Sequence, residues 1–383
     1  MPPIQQTIWN ADLHTLAKIT ILKNYLQAWF RILGTRRGDK LLFVDGFAGP
    51  GKYSSGEEGS PITSMRAANA ALFSMGDSFS AGHIQCIFFE KDSDRFLELS
   101  NSVALVSTHP KLKVDKYCCE FVQGIAQLEA KDSHIFRSRA PTLVFADPFG
   151  GTGIPFNTMA HCMGGTASEL LINLDVDGLA RIFLATTNNN REAQLTDLFG
   201  DDSWKGELNA NEDMKKLTVQ ILALYKKRLL TITGVDFVWS FAMRGKHNAI
   251  NYHLVFATKH PLGQKKMKEA MSVIDKTGNY TFSDAHADQH MLFGDNDDTH
   301  YAQLLFKRFN GQTVPIGQVT VFALNETPFL HSKQMLAQLE AQERIQVKTL
   351  SNYDRRKGTF PEDKIESVTF GNFGPHLTQT AWF

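Results

Sequence analysis

Four acidic residues close apolar, strand-like runs in this chain of 383 residues. Asp45 follows Leu41-Leu42-Phe43-Val44, Glu90 follows His83 to Phe89, Glu120 comes just after Leu112 to Cys118, and Asp147 follows Thr142 to Ala146. Short continuous apolar runs are what strands buried on both faces of a parallel sheet look like. Open sheets of that kind bind ligands beyond the carboxyl ends of their strands. Asp45 opens a tight turn, Asp45-Gly46-Phe47-Ala48-Gly49-Pro50-Gly51, in which the side-chain-free Gly46, Gly49 and Gly51 let a ligand approach the backbone. An acid ahead of the glycines repels a pyrophosphate and accepts from an ammonium. A dinucleotide fingerprint would run G-x-G-x-x-G directly into its helix. Here Lys52 to Gly59 intervene before a helix capped by Ser60 with Pro61 at its first position. The ligand these residues suit is cationic and free of phosphate. S-adenosylmethionine (SAM), with an ammonium and a positive sulfonium, has that character. Glu90 stands where nucleotide-binding sheets place an acceptor for two ribose hydroxyls. Glu120 either lies beside an adenine or serves as an N-cap or first-turn acid of the helix Phe121 to Glu129.

These acids need a sheet to bring them together. Ser93 to Leu99 reads as a helix between the second and third strands, and Ser168 to Leu174 as a fifth buried strand. A helix from Gly178 to Thr186 carries Arg181, and after a polar stretch with Trp204 a long helix runs from Asn211 to Leu230. Asp236 to Met243 and Ala249 to Thr258 then form an antiparallel hairpin around Arg244 to Asn248. Ahead of the first strand, residues 12 to 33 form a helix with Leu13, Leu16, Ile19, Leu22, Leu26, Trp29 and Leu33 at helical spacing, ended by Gly34. It either lids the cofactor pocket, with His14 and Lys18 one turn apart on its polar side, or packs as an ordinary helix with a solvated stripe.

Beyond residue 295 the text changes. Helices are expected over His300 to Phe309, Val314 to Ala323 and Phe329 to Gln342, the third burying Leu330, Met335, Leu336 and Leu339, after a turn at Asn325-Glu326-Thr327-Pro328. A hairpin pairs Ile345 to Leu350 with Lys364 to Phe370. Three helices and a hairpin with a basic tip make a winged helix over 296–383. Arg355, Arg356 and Lys357, beside Tyr353 and Phe360, suit phosphate contact with some stacking on nucleic acid. A protein-binding wing is the alternative.

Composition sets bounds. The chain is 43% hydrophobic with 28 Phe, so it is globular. Lys+Arg and Asp+Glu are 40 each, so nucleic-acid binding must rest on a local basic surface. Cys86, Cys118, Cys119 and Cys162 match no zinc spacing and read as thiols, mostly buried, of a reducing cytoplasm. The absence of a long apolar run or an opening signal peptide argues against membrane and secretion. His286 and His290 would share a helix face as two metal ligands can, but a third ligand is not evident, and no metal is expected.

The D-x-F-x-G-x-G turn resembles motif I of class I methyltransferases, and five β–α units with a terminal hairpin resemble their element order. The turn Asp147-Pro148-Phe149-Gly150 resembles, with departures, the Asp/Asn-Pro-Pro-Tyr turn of amino-methyltransferases: Phe replaces the second Pro and Gly follows. It looks like the D-P-F-G turn of tRNA guanine-N2 methyltransferases. That likeness implies that Asp147 orients a target amine while Phe149 stacks on a flipped base, a positioning role. A plain turn with Pro second is the alternative.

Taken together, LHTLAKITILKNYLQAWF, VDGFAGPGKY, ADPFG, LLINL, YHLVFATKHPLGQKKMKEAM, TPF and RRKGTFP resemble the three-Cys-motif partner (TcmP) family along most of the chain. The resemblance implies a class I SAM-dependent methyltransferase-like domain over residues 1–295 and a C-terminal winged helix. It also implies a separate partner protein with a three-cysteine, radical-SAM-like motif. The function expected is N-methylation of an exocyclic amine on a nucleic-acid base. The alternatives are a catalytically silent SAM-fold module that docks nucleic acid or that partner, and a metal-dependent nuclease.

Overall fold

The computed structural model describes residues 7–185, 189–244, 250–275, 281–283, 298–351 and 353–373. Contacts divide the chain into two units, Met1–Leu292 and Phe293–Phe383. The first is an α/β unit on a mostly parallel sheet. Its strands are β1 (Gly38–Asp45), β2 (Ala81–Glu90), β3 (Leu112–Cys118), β4 (Thr142–Ala146), β5 (Ser168–Leu174), β6 (Phe237–Arg244), β7 (Ile250–Thr258) and β8 (Thr281–Ser283). They lie in the order β3-β2-β1-β4-β5-β7-β6-β8. The first five run parallel. Strand β7 inserts antiparallel between β5 and β6, and β8 runs parallel to β6.

The two-residue period of β1 sorts its side chains between two cores. Leu42 and Val44 point into one, covered by α4 (Phe121–Lys131), α5 (Phe156–Cys162), α6 (Val176–Leu184), α7 (Asn189–Phe199), α8 (Trp204–Glu207) and α9 (Met214–Ile232). Leu41 and Phe43 point into the other, covered by α1 (Leu13–Gly34), α2 (Ser60–Met75), α3 (Ser93–Ala104) and α10 (Pro261–Ser272). Full burial of both faces explains why β1, β4 and β5 read as unbroken apolar runs.

Several local expectations shift. Helix α1 buries His14, Ala17, Ile21, Leu22, Tyr25, Leu26, Trp29 and Phe30, while Leu13 is exposed. The inward face is therefore turned from the one the leucine spacing marks. His14 is a core residue whose Nε2 bonds the Arg244 carbonyl at 3.0 Å, and α1 packs along the sheet as a buried layer. The N-cap of α2 is Gly59, so Ser60 lies inside the helix beside Pro61. Helices α5, α7, α8 and α10 are additional to those the periodicity marks.

The second unit contains α11 (Asp298–Phe309), β9 (Thr313–Pro315), α12 (Ile316–Glu326), α13 (Lys333–Ala341), β10 (Ile345–Thr349) and β11 (Ile365–Phe370). Its antiparallel sheet runs β10-β11-β9, and β9 was too short to be marked by sequence. Helix α12 reaches Glu326, the second residue of the expected turn. The Thr327 hydroxyl then donates to the Ala323 carbonyl at 2.7 Å and accepts the Phe329 N–H at 3.1 Å. This turn delays α13 to Lys333, and Leu330 is half-buried rather than core. Met335, Leu336 and Leu339 do enter the core.

The basic stretch of this unit is partly consumed internally. The Arg355 guanidinium forks onto both carboxylate oxygens of Glu340, donates to the Thr359 carbonyl at 2.9 Å and lies 4.9 Å from the Phe360 ring centre. Glu340 also accepts the Gly358 N–H at 2.7 Å. Arg355 therefore fastens its own stretch of chain onto α13, with Arg356 and Lys357 exposed beside it. Removing one partner of a buried, hydrogen-bonded ion pair strands the other. Arg355→Ala should destabilise this unit by about 3 kcal/mol, read by amide hydrogen exchange in β11. Unchanged protection there would show that the pair is not structural.

Candidate functional site

Register places the acids side by side. Asp45 at the end of β1 pairs with Phe88 of β2 and Phe145 of β4, so Glu90 and Asp147 follow two residues later on the flanking strands. Asp45 is completely buried. Its Oδ1 accepts the Phe47 N–H at 3.1 Å, and its Oδ2 has no hydrogen-bond partner among the described residues. Burial pushes its carboxyl up to about 7, against the pull of the Ser60 hydroxyl and the Phe47 amide, with Asp147 and Glu90 adding repulsion. A buried carboxylate oxygen left in this state keeps its capacity to accept from a donor.

Glu90 is tied to the backbone on both oxygens. Oε2 accepts the Gly49 N–H at 3.0 Å and Oε1 accepts the Asp92 N–H at 2.8 Å. Burial raises its carboxyl, while those amides and Arg95 lower it. Each oxygen keeps acceptor capacity, so Glu90 fixes the glycine turn to β2 and can still receive a ligand donor. The turn is further held by Ala48 N–H to the Phe89 carbonyl at 2.9 Å.

The glycines divide their work. Gly46 packs under Phe121, since a Cβ there would come within 2.6 Å of that ring. Gly49 and Gly51 adopt φ of +62° and +80°, a region that disfavours side chains. Gly51 faces Ser102, and its carbonyl accepts the Gly59 N–H at 2.8 Å, folding the loop back toward α2.

A cavity of about 290 Å³ opens at this edge, at the lower end of the range for small-molecule pockets. Gly46, Phe47, Phe89, Glu90, Phe121 and Phe149 contribute to its wall, and Glu120 to its border. Glu120 is exposed at the N-cap of α4, makes no side-chain capping bond and pairs with Lys91 at 3.3 Å. Phe149 is 58% exposed and meets Trp9 edge-on at 5.5 Å. The Arg95 guanidinium lies 5.2 Å from Trp9 and 5.5 Å from Phe149. These groups give the cavity an aromatic and cationic margin. Pro148 is buried, and Gly150 takes φ of +86° to finish the turn.

Asp147 has partners that sequence did not identify. Lys18 Nζ donates to its Oδ1 at 2.8 Å and to its Oδ2 at 2.6 Å, and Asn173 Nδ2 donates to Oδ1 at 2.7 Å. Lys18 is 11% exposed, so it is an interior countercharge and not part of a solvated stripe. With two donors on Oδ1 and one on Oδ2, Oδ2 retains an acceptor position. Tyr53 sits close enough to Asp147 and Asp45 that their charges, after burial itself, raise its phenol. Lys18, Asn173, Tyr53, Trp9 and Arg95 carried no sequence signal for this role. They lie on distant segments and acquire the role only through the fold.

Among the described residues no group of three or more His, Cys, Asp or Glu is placed to hold a metal ion. His286 and His290 lie outside the described residues. Cys86 and Cys162 are buried, but Cys118 is exposed and Cys119 half-buried, and all four are free. Cys118 ends β3, an edge strand of the sheet among the described residues, and is in register with Glu90 of β2. No helix of the described residues is long and apolar enough to cross a membrane.

No family model and no curated protein matches the sequence. Solved structures that align with the chain include Trm1 from Pyrococcus horikoshii in complex with S-adenosyl-L-methionine, at 8% identity and a TM-score of 0.38, over 96% of this chain and 93% of that one. A possible exported protein from Bordetella parapertussis aligns at 10% identity and a TM-score of 0.27, over 62% and 66% of the two chains. A conserved hypothetical protein from Streptococcus pyogenes aligns at 14% identity and a TM-score of 0.20, over 39% and 75%. Likenesses this distant assign neither substrate nor cofactor to the present chain.

The raised Asp45 carboxyl makes stability depend on pH in a defined direction. Its folded value of about 7 lies above an unfolded value near 4, so the folded state holds the proton more tightly. The resulting stabilisation is complete below about pH 4 and is lost as pH rises to about 7, by up to about 4 kcal/mol. Asp45→Asn should lack that loss. Its stability relative to the parent should therefore grow between those pH values and level off above, as read by urea unfolding without added ligand. A difference that stays constant with pH would show that Asp45 is not perturbed.

Proposed function

We propose that the chain is a SAM-dependent methyltransferase that modifies an exocyclic amine of a nucleic-acid base. The observation that carries this reading is the buried, half-satisfied Asp45 carboxylate at the end of the central parallel strand, next to a cavity bordered by Glu90, Glu120 and Phe149. The strand order, with an antiparallel β7 between β5 and β6, also supports a class I methyltransferase sheet.

The residues present fit the cofactor. Asp45 Oδ2 would accept its ammonium, the open acceptor positions of Glu90 its ribose hydroxyls, and the Phe89–Phe121 wall, with Glu120 at its edge, its adenine. When bound, SAM supplies an electrophilic methyl group. Asp147 Oδ2 would accept an N–H of the target amine and turn its lone pair toward the reaction, a contribution of orientation. Phe149 offers an exposed face for stacking. Topology supports a winged helix for the second unit, whose exposed Arg356 and Lys357 would meet phosphate. We further propose membership of the three-Cys-motif partner family, with its three-cysteine protein as partner, and work in the reducing cytoplasm.

One observation favours a second reading. Lys18 already occupies both oxygens of Asp147, which suits a silent module that binds the cofactor and docks nucleic acid or the partner without chemistry.

Calorimetric titration with SAM should give one site, abolished in Asp45→Ala and weakened in Glu90→Ala. Transfer of a labelled methyl group to total RNA or DNA should fall by about 100-fold or more in Asp147→Ala while cofactor binding persists. A parent protein that binds neither SAM nor S-adenosylhomocysteine would refute the proposal. Cofactor binding with no transfer to any RNA or DNA pool would establish the silent module instead.

A further inference from the structure

A second cavity of the first unit lies at the opposite edge of the sheet, where the parallel strands begin. It encloses about 1020 Å³, against about 290 Å³ at the acidic edge. The start of β1, the end of α1, the start of β5 and the start of α10 all border it. Its charge is one-sided. Arg36, Arg37, Lys40, Arg139, Lys259 and Lys266 line it, opposed by the carboxylates of Asp132 and Glu169. In a chain with 40 cationic and 40 anionic residues, that excess is local.

The pairing of these groups narrows the ligand. Lys40 faces Asp132 at 3.6 Å, and Lys266 pairs with Glu269 at 2.7 Å. Lys259 Nζ is anchored on the Met163 and Gly165 carbonyls at 2.7 and 2.8 Å and keeps a third donor. Glu169 is buried and receives hydroxyls from Tyr25 at 2.6 Å and Thr258 at 2.7 Å. By contrast, Arg36, Arg37 and Arg139 are exposed and form no ion pair among the described residues. Guanidinium forks match phosphate oxygens bidentately. Helix α10 presents its N-terminus here, with its positive end. Its cap, His260, accepts the Leu262 N–H through Nδ1 at 3.1 Å, which in the neutral ring puts the hydrogen on Nε2.

Inside, the wall changes character. Trp29, Leu33, Leu41 and Leu262 give apolar surface. Ser168 is 1% exposed, and its Oγ has no hydrogen-bond partner among the described residues. A buried hydroxyl in that state is uncommon and favours a ligand atom that reaches it. A polymer backbone lying across the rim would not reach it.

We propose that this cavity is a binding site for a nucleoside polyphosphate. Its phosphates are held by Arg36, Arg37 and Arg139, and its uncharged part enters toward Ser168. The site is separate from the proposed cofactor cavity and does not depend on that reading.

The test is calorimetric titration of the full chain with adenosine and guanosine triphosphates, inorganic pyrophosphate and a single-stranded oligonucleotide. A saturating concentration of S-adenosylhomocysteine and the Asp45→Asn variant serve as controls. One nucleotide should bind at a single site under both control conditions. Its affinity should fall by about tenfold or more in Arg36→Gln/Arg139→Gln and by a smaller factor in Ser168→Ala. Both arginines are exposed, so the double variant should keep the parental melting temperature. The proposal fails if no nucleotide binds at millimolar concentration in low salt, or if binding is unchanged in the double variant. It also fails if S-adenosylhomocysteine displaces the nucleotide, or if the oligonucleotide alone binds.

Discussion

Three carboxylates crowded at one edge of a parallel sheet are the constraint around which the first unit is built. Asp45, Glu90 and Asp147 end neighbouring strands, and the latter two raise the cost of charging the buried Asp45. Each acid is offset differently. Glu90 is met by backbone amides of the glycine turn and of Asp92. Asp147 is met by a lysine and an asparagine. Asp45 is offset least, by the Phe47 amide on Oδ1 and the pull of the Ser60 hydroxyl, while Oδ2 has no hydrogen-bond partner among the described residues. Buried charge is tolerated where it is paired and hydrogen-bonded, so the least compensated acid marks where an external cation would gain most. The glycine turn is thus as much an electrostatic device as a steric one, because its left-handed bends bring an N–H onto Glu90.

The same sheet polarises the unit end to end. Helices that follow parallel strands start at the carboxyl edge, where their positive N-termini face the acids. Strand β7 runs the other way, so α10, which follows it, starts at the amino edge instead. One reversed strand therefore brings a helix N-terminus to the end of the sheet where Arg36, Arg37 and Arg139 gather. A chain with no net charge carries an acidic edge and a basic edge through topology.

What was legible in the sequence follows from what a local pattern can encode. The buried strands were readable because both faces are covered: Thr142 to Ala146 and Ser168 to Leu174 show the same limits in text and in structure. The carboxyl-edge acids were readable because each directly follows such a run. Lys18 was not, since its meaning comes from a partner 129 residues away. His14 looked polar by type, yet the face of α1 is set by packing against α2 and α10, which periodicity in one helix does not contain. Arg355 looked like a phosphate ligand beside Arg356 and Lys357, while Glu340, on a different element, claims it. Short pieces such as β9 exist because of their pairing with β11, and three residues carry no period.

The ion pair between Lys18 and Asp147 ties this edge to α1. Lys18 is held at 11% exposure by a helix whose inward face is packed with Ile21, Leu22, Tyr25 and Leu26, so its position costs little further side-chain entropy. Its ammonium also lies 5.3 Å from the Tyr252 ring centre on β7. A lysine fixed this way offsets charge at the crowded strand ends without consuming Asp147: two donors fill Oδ1, while Oδ2 takes one and can take a second. The helix ahead of the first strand is thus part of the electrostatic frame of the site. Its packing sets how much acceptor capacity the second acidic turn retains.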